Sequence, residues 1–221
     1  MATQTIDDIK RATVQHSGET SPWPVQKVLL INPFLVNNEE PYDLDIVLKN
    51  GQFVDPPIGL GYIKSFLLLN LKDIEVKILD ANIFAVHEIN QSHKVDMPRL
   101  WGQLRESIMD FSPDLVGVSC LFHSGAYVAH QTLALIKEIS RDIITVLGGN
   151  YGSGTPDIAL TDPNLDFILE SEGEFRMLNL ISAIRDGANL LETVDGIHFQ
   201  MDDKEFLSPK TGSIDNVDVL P

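Results

Sequence analysis

Three polar, glycine-bearing turns follow three short apolar runs in the second half of the chain. They read Val116-Gly117-Val118-Ser119-Cys120-Leu121-Phe122-His123-Ser124-Gly125, Val146-Leu147-Gly148-Gly149-Asn150-Tyr151-Gly152-Ser153-Gly154 and Glu170-Ser171-Glu172-Gly173-Glu174-Phe175. Small residues and hydroxyls at such turns let a ligand approach the backbone closely and bond to it. They supply no general acid or base. His16, His87, His93, His130 and His198 are scattered along the chain and take no catalytic role.

The elements that must hold these turns alternate between strand and helix. Apolar runs predict strands over Lys27 to Ile31, Glu75 to Leu79, the run from Val116 that follows Ser112-Pro113-Asp114, Ile143 to Leu147 and Asp166 to Leu169; the last three, short and rich in branched residues, suit burial on both faces. Helical spacing predicts helices from Pro56-Pro57-Ile58-Gly59 through Leu69, over Met97 to Asp110, Tyr127 to Ser140 and Glu174 to Arg185. Gly196 to Gln200 and Lys204 to Leu207 read as a β-hairpin. The expected fold is α/β: a flavodoxin-like or Rossmann-like doubly wound, mainly parallel five-stranded sheet with a C-terminal β-hairpin extension. The expected organisation is a polar N-terminal extension over residues 1–26, an α/β domain over 27–190, and a hairpin and linker over 191–221. The long polar segment Phe34 to Pro57 reads as a functional or mobile loop.

Composition narrows the partners. With 221 residues and a formal net charge of −16, the chain fits one α/β domain that binds neither nucleic acid nor an anionic membrane surface. No run is long and apolar enough to span a membrane, and the polar N-terminus carries no signal core, so a cytoplasmic protein is expected. The single cysteine, Cys120, lies in an apolar run, where a buried structural thiol is the expectation.

In an open parallel sheet the ligand sits beyond the carboxyl ends of the strands. A dinucleotide fingerprint belongs after the first strand, which here ends in Asn32-Pro33-Phe34 without glycine. A phosphoacceptor site needs acidic residues after the first and third strands, where Asn32 and Ser119 stand instead. A corrinoid fits better. Its nucleotide tail needs small residues and hydroxyls between strand ends, and Ser119, Leu121, Gly148 and Gly149 supply them. Taken singly, Gly148-Gly149 also reads as a tight strand-to-helix turn, and Ser119 as a satisfied core hydroxyl.

The ordered set Asn32-Pro33, Pro56-Pro57-Ile58-Gly59-Leu60-Gly61-Tyr62, Leu79-Asp80-Ala81, Pro113 to Ser119, Gly148-Gly149 and Glu172-Gly173-Glu174 resembles the N-terminal cobalamin-binding domain of B12-dependent radical SAM enzymes. The resemblance runs from about Lys27 to Pro221. It implies cobalamin with its tail inserted into the sheet, contacted by Ser119, Leu121, Gly148 and Gly149, with Asn32 near the cobalt's lower face. Glu172 and Gly173 would face the macrocycle edge, although an acidic helix N-terminus explains that turn as well. The aspartate-x-histidine-x-x-glycine motif of the classical B12 module has no counterpart here, so cobalt is expected to lack a protein imidazole, with His123 as the rival ligand. Nor can one cysteine make the family's cysteine-x-x-x-cysteine-x-x-cysteine cluster site. The 4Fe-4S cluster and S-adenosylmethionine are therefore expected only in an absent downstream radical SAM barrel, reached through Asp218 to Pro221. That barrel is the implied partner, with methyl transfer or related radical chemistry performed by the full-length enzyme. A stand-alone B12 carrier or sensor, or a degenerate B12-like interaction module, are the alternatives.

Overall fold

The computed structural model describes residues 25–35, 56–92, 95–186, 194–201 and 204–207. Most of the expected N-terminal extension and polar loop (1–24 and 36–55) and the linker beyond Leu207 lie outside the described residues.

Seven strands form one sheet. Five are parallel: β1 (Lys27–Asn32), β2 (Glu75–Asp80), β3 (Leu115–Ser119), β4 (Ile144–Gly148) and β5 (Phe167–Leu169). Two are antiparallel, β6 (Ile197–Met201) and β7 (Lys204–Leu207), and the spatial order is β2-β1-β3-β4-β5-β6-β7. The order 2-1-3-4-5 of the parallel part is that of flavodoxin-like folds, whose crevice opens where the connections reverse direction beside β1. The expected hairpin is present and continues the sheet beyond β5, so the sheet itself crosses the boundary expected at residue 190.

The strands separate two cores because successive side chains point to opposite faces. On one face Val28, Leu30, Leu115, Ile144, Val146, Phe167 and Leu169 pack against α1 (Ile58–Asn70) and α7 (Gly173–Asp186). On the other, Leu29, Ile31, Val116, Val118, Leu147 and Ile168 meet α2 (Asn82–Ser92), α3 (Met97–Phe111), α4 (Ala126–Ile139) and the short helices α5 (Asn150–Gly154) and α6 (Pro156–Ala159). The near-continuous burial of β1, β3 and β4 follows from this double cover.

Helix α3 shows how local chemistry fixes an element. Leu100, Leu104, Ile108 and Phe111 form its buried stripe, Asp96 accepts a hydrogen bond from the Arg99 amide at 3.3 Å, and Ser112 ends it at φ 50°. Helix α2 was not expected from the sequence. Its buried residues are Asn82, Ala85 and Ile89, a stripe with one large apolar side chain, which is too thin for periodicity to detect.

A buried ion pair joins α4 to the starts of β4 and β5. Lys137 Nζ donates to Asp166 Oδ2 at 2.6 Å and to the Ile143 carbonyl at 2.6 Å, and Asp166 Oδ2 also accepts from the Thr145 amide at 2.8 Å. Both side chains are at most 4% exposed. Removing one charge leaves the other buried without its counterion, which costs about 3–5 kcal/mol. Lys137→Met is therefore expected to lower the unfolding free energy by about that amount in urea titrations, with the far-UV circular dichroism of the folded state retained.

Candidate functional site

One face of the sheet is hollowed at its carboxyl end. Asn32 follows Leu30 by two residues on β1, Ser119 follows Gly117 on β3, and Gly148 follows Val146 on β4, so all six point towards α1 and α7. The register sets Leu30 beside Gly117, Gly117 beside Val146 and Ser119 beside Gly148. Three of these neighbours are Gly or Ser, and the sheet surface drops where larger residues would fill the layer. The result is a cavity of about 660 Å³ between the strand ends and the two helices. Leu30, Val146, Leu169, Leu60, Ile63 and Met177 give it an apolar interior, which is usual for a small-molecule site.

All seven sequence-derived site residues border this cavity: Asn32, Ser119, Leu121, Gly148, Gly149, Glu172 and Gly173. The two paired glycines do different work. A Cβ on Gly148 would meet nothing within 4 Å, so a side chain there would project into open space. Gly149 has φ +98° and holds its backbone against Cys120, where a Cβ would lie 2.7 Å from the carbonyl carbon. Gly149 is thus required by the turn itself, and a larger residue at that position would disturb the fold rather than probe the cavity alone. Gly173 likewise lets α7 approach α1, since a Cβ would fall 2.8 Å from Ile63 Cδ1.

Gly117, Met177, Asn82 and Glu174 also line the cavity and were not among the expected site residues. Gly117 was detectable, because it stands two residues before Ser119 and must share its face. Met177 and Asn82 come from helices whose placement depends on tertiary packing. Glu174 stands in the first turn of α7, where the helix dipole favours a carboxylate, and its side chain is largely buried. With Glu172 it gives the cavity an acidic edge, which disfavours polyphosphate ligands.

The strap after β3 is pinned to the turn after β4. The Cys120 amide donates to the Gly148 carbonyl at 2.8 Å, and the Tyr151 amide to the Cys120 carbonyl at 3.2 Å. Burial pushes the Cys120 thiol up to about 11, so it stays protonated, as expected of a structural thiol. His123 stacks edge-on against Tyr151, with ring centroids 5.4 Å apart, and is not among the residues bordering the cavity.

Behind the turn, His130 bridges Asp162 (Nδ1 to Oδ2, 2.6 Å) and the Tyr151 hydroxyl (Nε2 to Oη, 2.8 Å). Burial, with Cys120 and Asp162 nearby, pushes the Tyr151 phenol up, so it keeps its proton, while the Asp162 carboxylate accepts from His130 Nδ1–H. Burial also pushes Asp162 up, but hydrogen bonds from His130 and from the Asn164 amide and side chain outweigh it and hold the carboxyl below its ordinary value.

The model of the B12 binding domain family matches residues 44–181, more than half of the chain. This chain belongs to the B12-binding domain family. The domain is 31% identical over 168 residues to cytidylyl-2-hydroxyethylphosphonate methyltransferase of Streptomyces wedmorensis, covering 74% of this chain and 29% of that protein. It is 36% identical over 120 residues to the anaerobic magnesium-protoporphyrin IX monomethyl ester cyclase of Rubrivivax gelatinosus, covering 52% and 21% respectively. Among solved structures it shares its fold with the radical S-adenosylmethionine methyltransferase TsrM of Kitasatospora setae, whose structure holds cobalamin and a [4Fe-4S] cluster. That match has a TM-score of 0.61 and 17% identity and covers 89% of this chain and 31% of TsrM. The cobalamin-dependent S-adenosylmethionine radical enzyme OxsB, with aqua-cobalamin and S-adenosylmethionine bound, matches with a TM-score of 0.62 and 19% identity over 86% of this chain and 23% of OxsB. The chain spans less than a third of the length of each of these proteins.

The B12-binding domain carries a pH dependence in its Asp162 network. A carboxyl with a depressed folded-state pKa contributes stability that is fully present above its unfolded value, 3.8, and is lost as pH falls through the folded value. The difference in unfolding free energy between wild type and Asp162→Asn should therefore be flat above that pH and shrink below it, as measured by urea unfolding between neutral pH and the acid range.

Proposed function

We propose that this chain is the cobalamin-binding module of a radical SAM enzyme. Family membership supports the cofactor, and the single observation that carries the residue assignment is the trough opened by Gly117, Ser119 and Gly148 in adjacent strands. Ser119 offers a hydroxyl to the nucleotide tail, Gly148 leaves room beside it, and the apolar residues below exclude water. Leu121 and Asn32 border the upper end, and Glu172 and Gly173 the rim under the macrocycle edge. When bound, cobalamin supplies the cobalt-centred chemistry, and the domain orients the cofactor and shields it from solvent.

A methyl transfer or related radical reaction by the complete protein is supported by the names of the relatives, among them two methyltransferases. The partner in that reaction is a radical SAM barrel, which would hold the 4Fe-4S cluster and S-adenosylmethionine. Among the described residues no histidine borders the cavity, so a cobalt held there would take no imidazole from them. The placement of His123 against Tyr151, away from the cavity lining, supports this assignment.

Aquacobalamin titration of the purified chain tests the reading. Wild type should retain the corrinoid through gel filtration, and its cob(II)alamin EPR spectrum should show no coupling to a histidine nitrogen. Gly148→Leu should weaken binding by at least about tenfold while the melting temperature holds, since its side chain enters open space. Gly149→Leu should lower the melting temperature as well. Absence of bound corrinoid in the wild type would overturn the reading.

A further inference from the structure

The chain leaving β1 has no strand partner beyond Asn32, yet a buried side chain holds it. Asn82, 1% exposed, accepts a hydrogen bond from the Leu35 amide on Oδ1 at 2.9 Å. Its Nδ2 donates to the Pro33 carbonyl at 3.1 Å and to Asp80 Oδ1 at 2.9 Å. Both hydrogens and one lone pair of this amide are thereby used, which fixes its orientation. Asp80 Oδ1 also accepts from Asn32 Nδ2 and from the Asn82 amide, each at 3.1 Å, and the Ala81 amide donates to the Asn32 carbonyl at 2.9 Å. One carboxylate oxygen and one carboxamide thus bind the turn after β2 to the segment after β1.

Packing adds direction to this clamp. Phe34, 1% exposed, is drawn into the far core against Trp101, with ring centroids 5.1 Å apart. Leu35, the next residue, borders the cavity beside Asn32 and Asn82 and is 59% exposed. An apolar side chain at the mouth of a cavity, on backbone held by a buried amide, is a costly arrangement for stability alone. It suits a wall that a flat apolar ligand surface covers.

We propose that Asn82 is a positioning residue for the bound corrinoid, acting through Leu35. It fixes Leu35 as an apolar wall at the cavity mouth, contacting the ligand without offering it a donor atom. This inference rests on the cobalamin reading above.

Hydrogen exchange and aquacobalamin titration of the full chain test it together. In Asn82→Ala the Leu35 amide should exchange about tenfold faster or more, the scale of one lost hydrogen bond, while amides of β3 and β4 keep their protection. Cobalamin affinity should fall about tenfold in the same variant. Leu35→Ala, which leaves the clamp intact, should weaken binding without changing β3 and β4 protection, and Leu35→Met should restore it. Wild-type affinity in Leu35→Ala overturns the proposal, as does wild-type affinity in an Asn82→Ala variant whose Leu35 amide exchanges faster. Should Asn82→Ala not fold, the two Leu35 variants decide. Failure of the wild type to bind cobalamin would overturn the cofactor reading instead, and unchanged Leu35 exchange in Asn82→Ala would overturn the clamp by itself.

Discussion

The site depends on the two-residue alternation of parallel strands held in register. Once β1, β3 and β4 are aligned, every second residue shares one face, and the identity of those residues decides whether the face is filled or hollow. Towards the middle of the sheet they are Val28, Leu30, Leu115, Ile144 and Val146, and the face is a core. At the carboxyl end they become Asn32, Gly117, Ser119 and Gly148, and the same face is a cavity. The change takes place within one strand length. Slipping β3 or β4 by one residue would turn Val118 or Leu147 into the trough and Gly117 or Gly148 towards the opposite core, so the packing that stabilises the sheet also fixes the site.

A second constraint holds the rim. The strands end in backbone groups that must find partners, and each turn finds them in its neighbour. The strap after β3 bonds to β4 through Cys120 and Gly148, and the turn after β4 returns the bond through Tyr151. Ser153 continues the sequence, since its Oγ accepts from the Ser171 amide at 3.0 Å and so reaches the acidic turn after β5. Gly149 is the residue that permits this close approach. The turns therefore behave as one braced edge, with the His130–Asp162–Tyr151 bridge behind it.

Much of this was legible in the residues, and what was not has physical causes. The parallel strands were readable because β1, β3, β4 and β5 are short, branched, apolar runs between turn residues, while β2 alternates charged and apolar residues before Asp80. The cavity's glycine and serine positions followed from strand ends. The two glycines of the pair could not be told apart in sequence, because their difference is one of backbone angle and of contact with Cys120, two strands' ends meeting in space. Asn82 was invisible for a similar reason. It reads as a turn residue after β2, and its bonds to Pro33 and Leu35 span 49 and 47 residues of chain. The ion pair of Lys137 with Asp166 was hidden too, since a charged residue on an amphipathic helix is ordinarily taken for its solvated face.

Charge and exposure together bear on what the cavity needs. Leu35, Ile58, Leu121 and Phe122 stand around its mouth, each more than half exposed, while Glu172 stands on the acidic rim nearby. Water on that apolar mouth is a standing cost of the isolated fold, and an apolar ligand face or a second protein surface would remove it. The interior is different, because the trough is already framed by two helices and the sheet and needs no rearrangement to admit a narrow group. A long, narrow tail entering a preformed slot, with a broad flat body resting on an apolar mouth, matches both halves of this surface. It also assigns the two halves different energetic roles. In that proposed role the slot would contribute selectivity through shape, because a side chain added at Gly148 would project into it. The mouth would contribute affinity through buried area, most of all when the upper face of the ligand is covered as well.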